Sequence, residues 1–449
     1  SSRAAPRLLL SDIFPFILFP SSGRGRTMVH AQVTTDGAVE DNSKDNHLAR
    51  FLDASGGEAA GAGFEFRSEF EQMFARLRRL KDETDLSRFQ LPASLMLPFS
   101  ALELGAHGAA TSMAPLLELP CKTDPVDRML ALVSHGLASF AHTLPAWGRK
   151  PYNPVLGEAI VAQERTASAD VSPRWKLLIE QVSHHPPVIA SSTEGVANNG
   201  CRFAAVGNFR SEALFRGNYV EVLMHSEERT MFTLPDGTEE VYVLAKVPSL
   251  FIRGVMGVGR RMTEWGGDLV VTCEQTGLSA TLTFHPAGFF GLGIRHSVKG
   301  SVSMAGSNGK DVSLCQIRGF WSERVVASRR GGGPEVPLFQ FPQGLPRRLD
   351  KMPDDLPYDM PAHSLLWESH SHRVWGKLTS ALVSQRWAEA RRAKYSAEAE
   401  QRAAAATRAE SGTKWSAAFF EHAGMTSWVP QADAFVRAWC VDASEGVPA

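Results

Sequence analysis

The spacing of apolar positions changes several times along the chain. Residues 28–63 carry Gly, Ala, Asp and Asn with no sustained period, and the whole stretch 1–63 is expected to be a disordered extension. Phe64, Phe66, Phe70, Met73, Phe74 and Leu77 then recur at the spacing of an amphipathic helix over 64–85. Residues 86–104 are apolar but split by Pro92 and Pro98, which predicts a short mobile cover rather than a long helix. A helix is predicted over 124–147. Asp124 caps it, Pro125 suits its first turn, and Met129, Leu130, Leu132, Val133, Leu137 and Phe140 form its apolar face.

From about 152 to 325 the period becomes two. Leu278, Ala280, Leu282 and Phe284 alternate with Ser279, Thr281 and Thr283; Val220, Val222 and Met224 alternate likewise, as do Val298, Val302 and Met304. Asn199-Gly200, Asp236-Gly237, Thr276-Gly277 and Asn308-Gly309 mark turns between such runs. No helical pattern intervenes, so the simplest architecture is an antiparallel meander that closes its edges as a barrel. Leu269, Val270 and Val271 are apolar on both faces, which predicts an interior that holds an apolar ligand. Residues 329–361 are rich in Gly and Pro and read as an extended connector. Residues 364–410 turn helical again. Gln385 to Glu410 is Ala-rich with six basic and four acidic side chains, the composition of a long solvated helix. One domain is therefore expected over 64–430, with a cover at about 85–100, helices at about 105–147, the barrel at about 152–325, further helices at about 362–430, and a tail over 431–449.

Composition narrows the class. Of 449 residues, 43% are apolar and 21% charged, which excludes a wholly disordered chain. The net charge of −1 argues against a broad nucleic-acid binder. Five widely spaced Cys without a C-x-x-C argue against a disulfide framework or a zinc ribbon and fit a reducing, cytoplasmic setting. Leu8 to Phe19 is too short and too broken to span a bilayer. The first 27 residues hold Arg3, Arg7, Arg24 and Arg26 against Asp12 without a clean signal pattern. They read as an added piece or as sequence ahead of a true start at Met28, rather than as a targeting segment.

Three constellations carry candidate chemistry. In Glu180-Gln181-Val182-Ser183-His184-His185-Pro186-Pro187 a stiff corner displays two imidazoles, suited to metal, acid–base work or phosphate. Metal is disfavoured because no third ligand lies at a recognised spacing, and Ser183 lacks the G-x-S-x-G elbow of a nucleophile. An arbitrary His-His pair is more often a plain surface loop. In Lys150-Pro151-Tyr152-Asn153-Pro154-Val155-Leu156-Gly157-Glu158, Lys150 offers a point charge and Asn153 a donor and an acceptor; a turn into the first strand explains the same residues equally well. Lys394, Glu398 and Arg402 stand at i, i+4, i+8 on one helix face, where ordinary solvated ion pairs are the commoner outcome. Together the five basic groups would suit a phosphate-bearing head with hydroxyls.

These residues also resemble a known family. EQVSHHPP (180–187) is the signature of the oxysterol-binding protein-related family of lipid-transfer proteins, and KPYNPVLGE (150–158) is similar to its second motif. Lys394, Glu398, Glu400, Gln401 and Arg402 resemble its C-terminal helix; DLSRFQLPASLMLPFSALEL (85–104) resembles its lid, and TGLSATLTFHPAGFF (276–290) a pair of its strands. The resemblance, which runs from about 85 to 425, implies an α+β, mainly β fold: a large incomplete antiparallel β-barrel around a lipid tunnel, with an N-terminal lid and helices at both ends. It implies a peripheral membrane carrier, without enzymatic activity or cofactor, that exchanges phosphatidylinositol 4-phosphate for sterol or phosphatidylserine at membrane contact sites. The phosphoinositide head is then expected at Lys150, Asn153, His184, His185, Lys394, Glu398 and Arg402. Too few residues precede the lid for a pleckstrin homology domain, so a short member is expected. A lipid sensor or scaffold would use the same pocket, and a hydrolase built on Ser183 or a His would need a buried acid partner that the sequence does not place. His370-Ser371-His372 reads as a loop without assigned chemistry.

Overall fold

The computed structural model of the chain describes residue 75 and residues 84–86, 91, 93–142, 150–168, 170–254, 262–287, 294–306, 311–341, 351–424 and 427–439. The extension over 1–63, nearly all of the helix expected over 64–85, and the tail beyond 439 lie outside these residues. So do parts of the expected cover.

Strands from Ala159–Glu164 to Val336–Gln340 follow one another through a single antiparallel sheet of 15 strands. One insertion breaks the simple order: Glu239–Lys246 pairs with both Tyr219–Thr233 and Met262–Cys273, and Ser249–Arg253 sits between the same two strands further along. The path ends at Val336–Gln340 on one side and at Tyr358–Asp359, beside Ala159–Glu164, on the other. The barrel is thus incomplete, α+β and mainly β. Both terminal strands fall in the stretch expected to be a connector. Pro337 marks an edge strand, the position where a missing N–H costs no ladder bond.

Side-chain alternation sets the two faces. Leu278, Ala280, Leu282 and Phe284 are buried, and the residues between them are not. Gly200, Gly237 and Gly277 all take positive φ, as their turn signals require. The inward face packs on two helices, α1 (Ala101–Glu118) and α2 (Pro125–His142). Asp124 accepts from the N–H of Val126 at 2.8 Å and so caps α2 as expected. Leu269 and Val271 lie in this core, with Leu269 against Gly136 of α2. Helix packing therefore explains why that strand is so apolar, and no ligand is needed for it. Elsewhere the inward wall is only half covered: Ile189, Phe209, Met224 and Leu244 keep partial exposure.

The expected mobile cover is structured from Ala93 onward. Met96–Ser100 pairs in parallel with Lys150–Tyr152. Ser100 then caps α1 in a capping box, its hydroxyl accepting from Leu102 N–H and Glu103 accepting from Ser100 N–H. After the sheet come α3 (Ser371–Val383) and the solvated α4 (Trp387–Ser411), of which only Ala390 is buried. The end of the second helical region is a small hairpin, Phe420–His422 with Trp428–Pro430. A short helix α5 (Ala434–Trp439) follows, inside the expected tail. Phe419, Phe420 and Phe435 cover the outward face of the first strands, over Val161, Leu178 and Val188.

Candidate functional site

The two motifs flanking the first strands meet through the backbone. Gly157 N–H donates to Gln181 C=O and Gln181 N–H donates to Glu158 C=O, both at 2.9 Å. Gly157 takes φ +84°, and an added Cβ would stand 2.6 Å from the Trp415 ring. Glycine is therefore required there, both for the turn and for the close approach. Trp415 in turn donates its indole N–H to Val182 C=O at 3.0 Å.

The glutamates that begin and end these motifs are structural. Glu158 is fully buried and accepts from Ser100 Oγ, Ser371 Oγ, Trp375 Nε1 and Val155 N–H, at 2.5 to 3.0 Å. It joins the end of the Met96–Ser100 strand, α3 and the Lys150 motif in one knot. Burial nevertheless outweighs these bonds and lifts its pKa to about 7. Glu180, also fully buried, accepts from the N–H groups of Ala418 and Phe419 and fastens the C-terminal segment to the signature strand. Burial raises its pKa to about 7 as well.

Around this knot stand the basic groups. Lys150 is exposed by surface area, yet crowding by protein, with the Lys394 charge second, lowers its pKa to about 8. Lys394 Nζ contacts Glu398 at 2.5 Å, and Glu398 reaches Arg402 at 3.9 Å. α4 lies beside the Lys150 strand because Tyr152, Met96, Ala390, Ala393 and Ala397 share one apolar cluster. His184 ends the signature strand and His185 begins the turn, with ring centroids 4.9 Å apart. Burial, then His185, lowers the His184 pKa. His184 Nδ1 is buried without a hydrogen-bond partner among the described residues, and such an atom awaits a ligand more often than it is left empty. Asn153 is exposed on the loop three residues past Lys150.

Of the seven residues expected at a head-group site, Lys150 and Lys394 are thus electrostatic neighbours, Lys394, Glu398 and Arg402 form a chain of ion pairs, and the two His stand together. Asn153 stands apart on the loop past Lys150, and Arg402 joins the chain through Glu398 while its guanidinium lies over the Tyr395 ring. Nothing in the spacing of the chain announces the Glu158 knot. Nor does that spacing reveal that His370-Ser371-His372 opens α3. There His370 is fully buried, with its pKa pushed down to about 3 by burial and then by His372. His372 meets Glu103 at 3.2 Å and its pKa is raised by that contact.

An incomplete antiparallel barrel thus carries a group of basic side chains beside its first strands. The profile of the oxysterol-binding protein family matches residues 79–377, and the chain belongs to that family. It is 29% identical over 358 residues to oxysterol-binding protein-related protein 8 of Homo sapiens, covering 77% of this chain and 36% of that protein. Oxysterol-binding protein-related protein 4C of Arabidopsis thaliana is 26% identical over 354 residues, covering 77% of this chain and 84% of that one. The chain therefore spans about a third of the human relative's length but most of the plant one's. In fold it is similar to the Osh1 ORD domain in complex with ergosterol (TM-score 0.66, 21% identity, 81% of this chain and 87% of that). It is also similar to the Osh3 ORD in complex with PI(4)P from Saccharomyces cerevisiae (TM-score 0.60, 18% identity, 83% and 94%).

Proposed function

We propose that this chain is a lipid carrier that extracts phosphatidylinositol 4-phosphate and exchanges it for a second lipid, sterol or phosphatidylserine, between membranes. It would work peripherally from the cytoplasmic side, without a cofactor and without covalent chemistry. The observation that carries the reading is the electrostatic pairing of Lys150 with Lys394, together with a His184 Nδ1 that is buried without a hydrogen-bond partner among the described residues. Two like charges held together are unfavourable until an anion enters, and a phosphate supplies several acceptor oxygens at once.

In this reading His184 and His185 hold the 4-phosphate, Lys150 and Lys394 neutralise it, Glu398 aligns Lys394 and Arg402, and Asn153 meets an inositol hydroxyl. The half-covered inward wall takes the apolar part of the lipid. Each buried CH₂ gains about 0.8 kcal/mol in the protein and loses a similar amount on leaving the membrane, so transfer is nearly neutral and head contacts choose the cargo. Glu158 and Glu180, the two carboxylates of the motifs, are engaged by backbone and side-chain donors, which suits a binding site better than a hydrolytic one. Extraction of labelled phosphatidylinositol 4-phosphate from liposomes tests the reading. Uptake in preference to phosphatidylinositol supports it, and equal or absent uptake of both overturns it.

A further inference from the structure

Two thiols meet at the corner where α1 ends. Cys273 and Cys315 are buried in the sheet core, and Cys440 lies outside the described residues. Cys121 is exposed and Cys201 half-buried. They are far apart in the chain, and only the fold joins them. After α1 the chain makes a short 3-10 turn, Leu119–Cys121, with Leu119 fully buried and Cys121 at the surface. The strands Pro187–Val196 and Arg202–Phe215 are joined by a tight turn over 197–201, in which Ala197 N–H donates to Cys201 C=O at 2.7 Å and Gly200 takes φ +83°.

Alternation sets the side of Cys201. Phe203 lies in the core beneath the helices and Arg202 is exposed, so Cys201 is on the helix side of the sheet, with the buried Ala197 that it pairs with. The turn is tied to the end of α1 twice. Asn198 N–H donates to Leu117 C=O at 3.0 Å. Asn199 then bridges the backbones beside the two thiols: its Nδ2 donates to Pro120 C=O at 2.9 Å, and its Oδ1 accepts from Cys201 N–H at 3.2 Å. An amide spans less than about 2.6 Å from nitrogen to oxygen, so the two backbones are held close. The thiols also feel each other. Burial, and then the neighbouring Cys121 and Asp236, raise the Cys201 pKa against the pull of Asn199. Cys201 is therefore held as the thiol at neutral pH, and the exposed Cys121 is the sulfur that an oxidant in solution reaches.

We propose that Cys121 and Cys201 are a redox-modification site, which a peroxide converts to a reversible disulfide that clasps the end of α1 to the turn over 197–201. In the first step the Cys121 thiolate attacks one peroxide oxygen and the O–O bond breaks. Cys121 becomes a sulfenic acid, and the other oxygen leaves as hydroxide, which the proton given up by the Cys121 thiol turns to water. In the second step the Cys201 sulfur attacks the sulfenic sulfur. The S–S bond forms, the S–O bond breaks, and hydroxide leaves with the Cys201 proton as a second water. The two cysteines together lose two electrons and the peroxide gains them. A small thiol reverses the bridge by exchange, so in a reducing setting the pair rests as two thiols. α1 lies against the first strands, with Gly105 against Ile179, and its start is held by the capping box. A clasp at its far end therefore fixes the helix at both ends. The proposal is independent of which lipid the chain carries.

The test uses the full chain, reduced, freed of reductant and treated with hydrogen peroxide in small excess. Mass spectrometry of the unreduced digest is expected to show the peptides of Cys121 and Cys201 joined, two hydrogens lighter than their sum, in monomeric protein, and dithiothreitol is expected to separate them. The oxidised chain is expected to melt about 5 °C or more above the reduced one, because a bridge that closes so long a loop restricts the unfolded state. Cys121→Ser and Cys201→Ser are each expected to lose the bridge and the shift, and Cys440→Ser to keep both. In Cys201→Ser, dimedone is expected to trap the sulfenic acid on Cys121. The proposal is overturned if Cys121 of the wild type goes on to sulfinic acid, joins a second chain or pairs with Cys440 without the Cys121–Cys201 bridge. A bridge that leaves the thermal midpoint unmoved overturns the clasp. The peptide map of the wild type decides whether the bridge forms even where a serine variant fails to fold.

Discussion

Lys394 lies near enough to Lys150 for its charge to add to burial in holding the Lys150 pKa at about 8. The two come from opposite ends of the domain, one from the strand that pairs with the lid segment and one from the long C-terminal helix. Closing the fold therefore creates the like-charge contact, and an anion between the two relieves it.

This relationship gives a pH dependence with a definite sign. The anion binds the protonated form of Lys150, so affinity is full below pH 8 and falls as pH rises through that value. The phosphomonoester itself is already past its second pKa of about 6 and adds no change in that window. Affinity for phosphatidylinositol 4-phosphate is expected to fall by up to about tenfold per pH unit above pH 8, while Lys150→Arg stays flat from pH 7 to 9. Liposome extraction across that range checks it; identical profiles contradict it.

Replacing His184→Ala together with His185→Ala removes two phosphate donors at once. Extraction of the phosphoinositide is expected to drop at least about a hundredfold, at roughly 1.5 to 3 kcal/mol for each hydrogen bond to a charged group. Unchanged extraction by a folded double variant would remove both His from the site.

Lys394→Ala separates the head from the interior. Phosphoinositide binding is expected to weaken about tenfold or more, and uptake of a neutral sterol to persist. A fluorescent-sterol titration run beside the extraction assay distinguishes this from unfolding, which would abolish both.

Glu158 predicts a stability profile. Its folded pKa of about 7 lies above the ordinary carboxyl value of 4.5, so the folded protein holds this proton more tightly than the unfolded chain. Below the ordinary value both states are protonated and nothing is lost. Stability then falls as pH rises from about 4.5 to 7, and stays lower above. Glu180 acts in the same direction. Glu158→Gln is expected to shrink this slope and, at pH 5, to cost about 1–3 kcal/mol, because the amide nitrogen cannot accept from the donors that the second carboxyl oxygen meets. Denaturant unfolding at pH 5 and 8 measures both effects.

Alternation alone made the sheet legible, because each strand between Trp175 and Phe320 packs one face on helices and turns the other outward or under the C-terminal segment. The edge strands were not, since Pro337 and the surrounding Gly and Pro read locally as a connector and pairing is a tertiary fact. α1 falls largely within the helical region expected at about 105–147, but its first turn from Ala101 lay in the stretch read as a cover, although Ser100 and Glu103 form its capping box. The basic site residues were visible as motifs and as a family resemblance. The Glu158 knot was not, because its side-chain donors come from two stretches far apart in the chain, Ser100 before α1 and Ser371 with Trp375 on α3, and no local spacing joins either to Glu158. The apolar run at Leu269 to Val271 does not by itself point to a ligand, because helix packing and ligand burial select the same residues and Leu269 and Val271 pack on the helices.

The central claim, exchange of one lipid against another, is tested most directly by transfer between liposomes. Labelled phosphatidylinositol 4-phosphate is placed in donor vesicles, and sterol or phosphatidylserine in acceptors or in neither. The account predicts that the phosphoinositide is delivered and that one of the two counter-lipids accelerates delivery. Extraction without delivery would make the protein a sensor or scaffold for the same lipid, and delivery indifferent to both counter-lipids would contradict exchange.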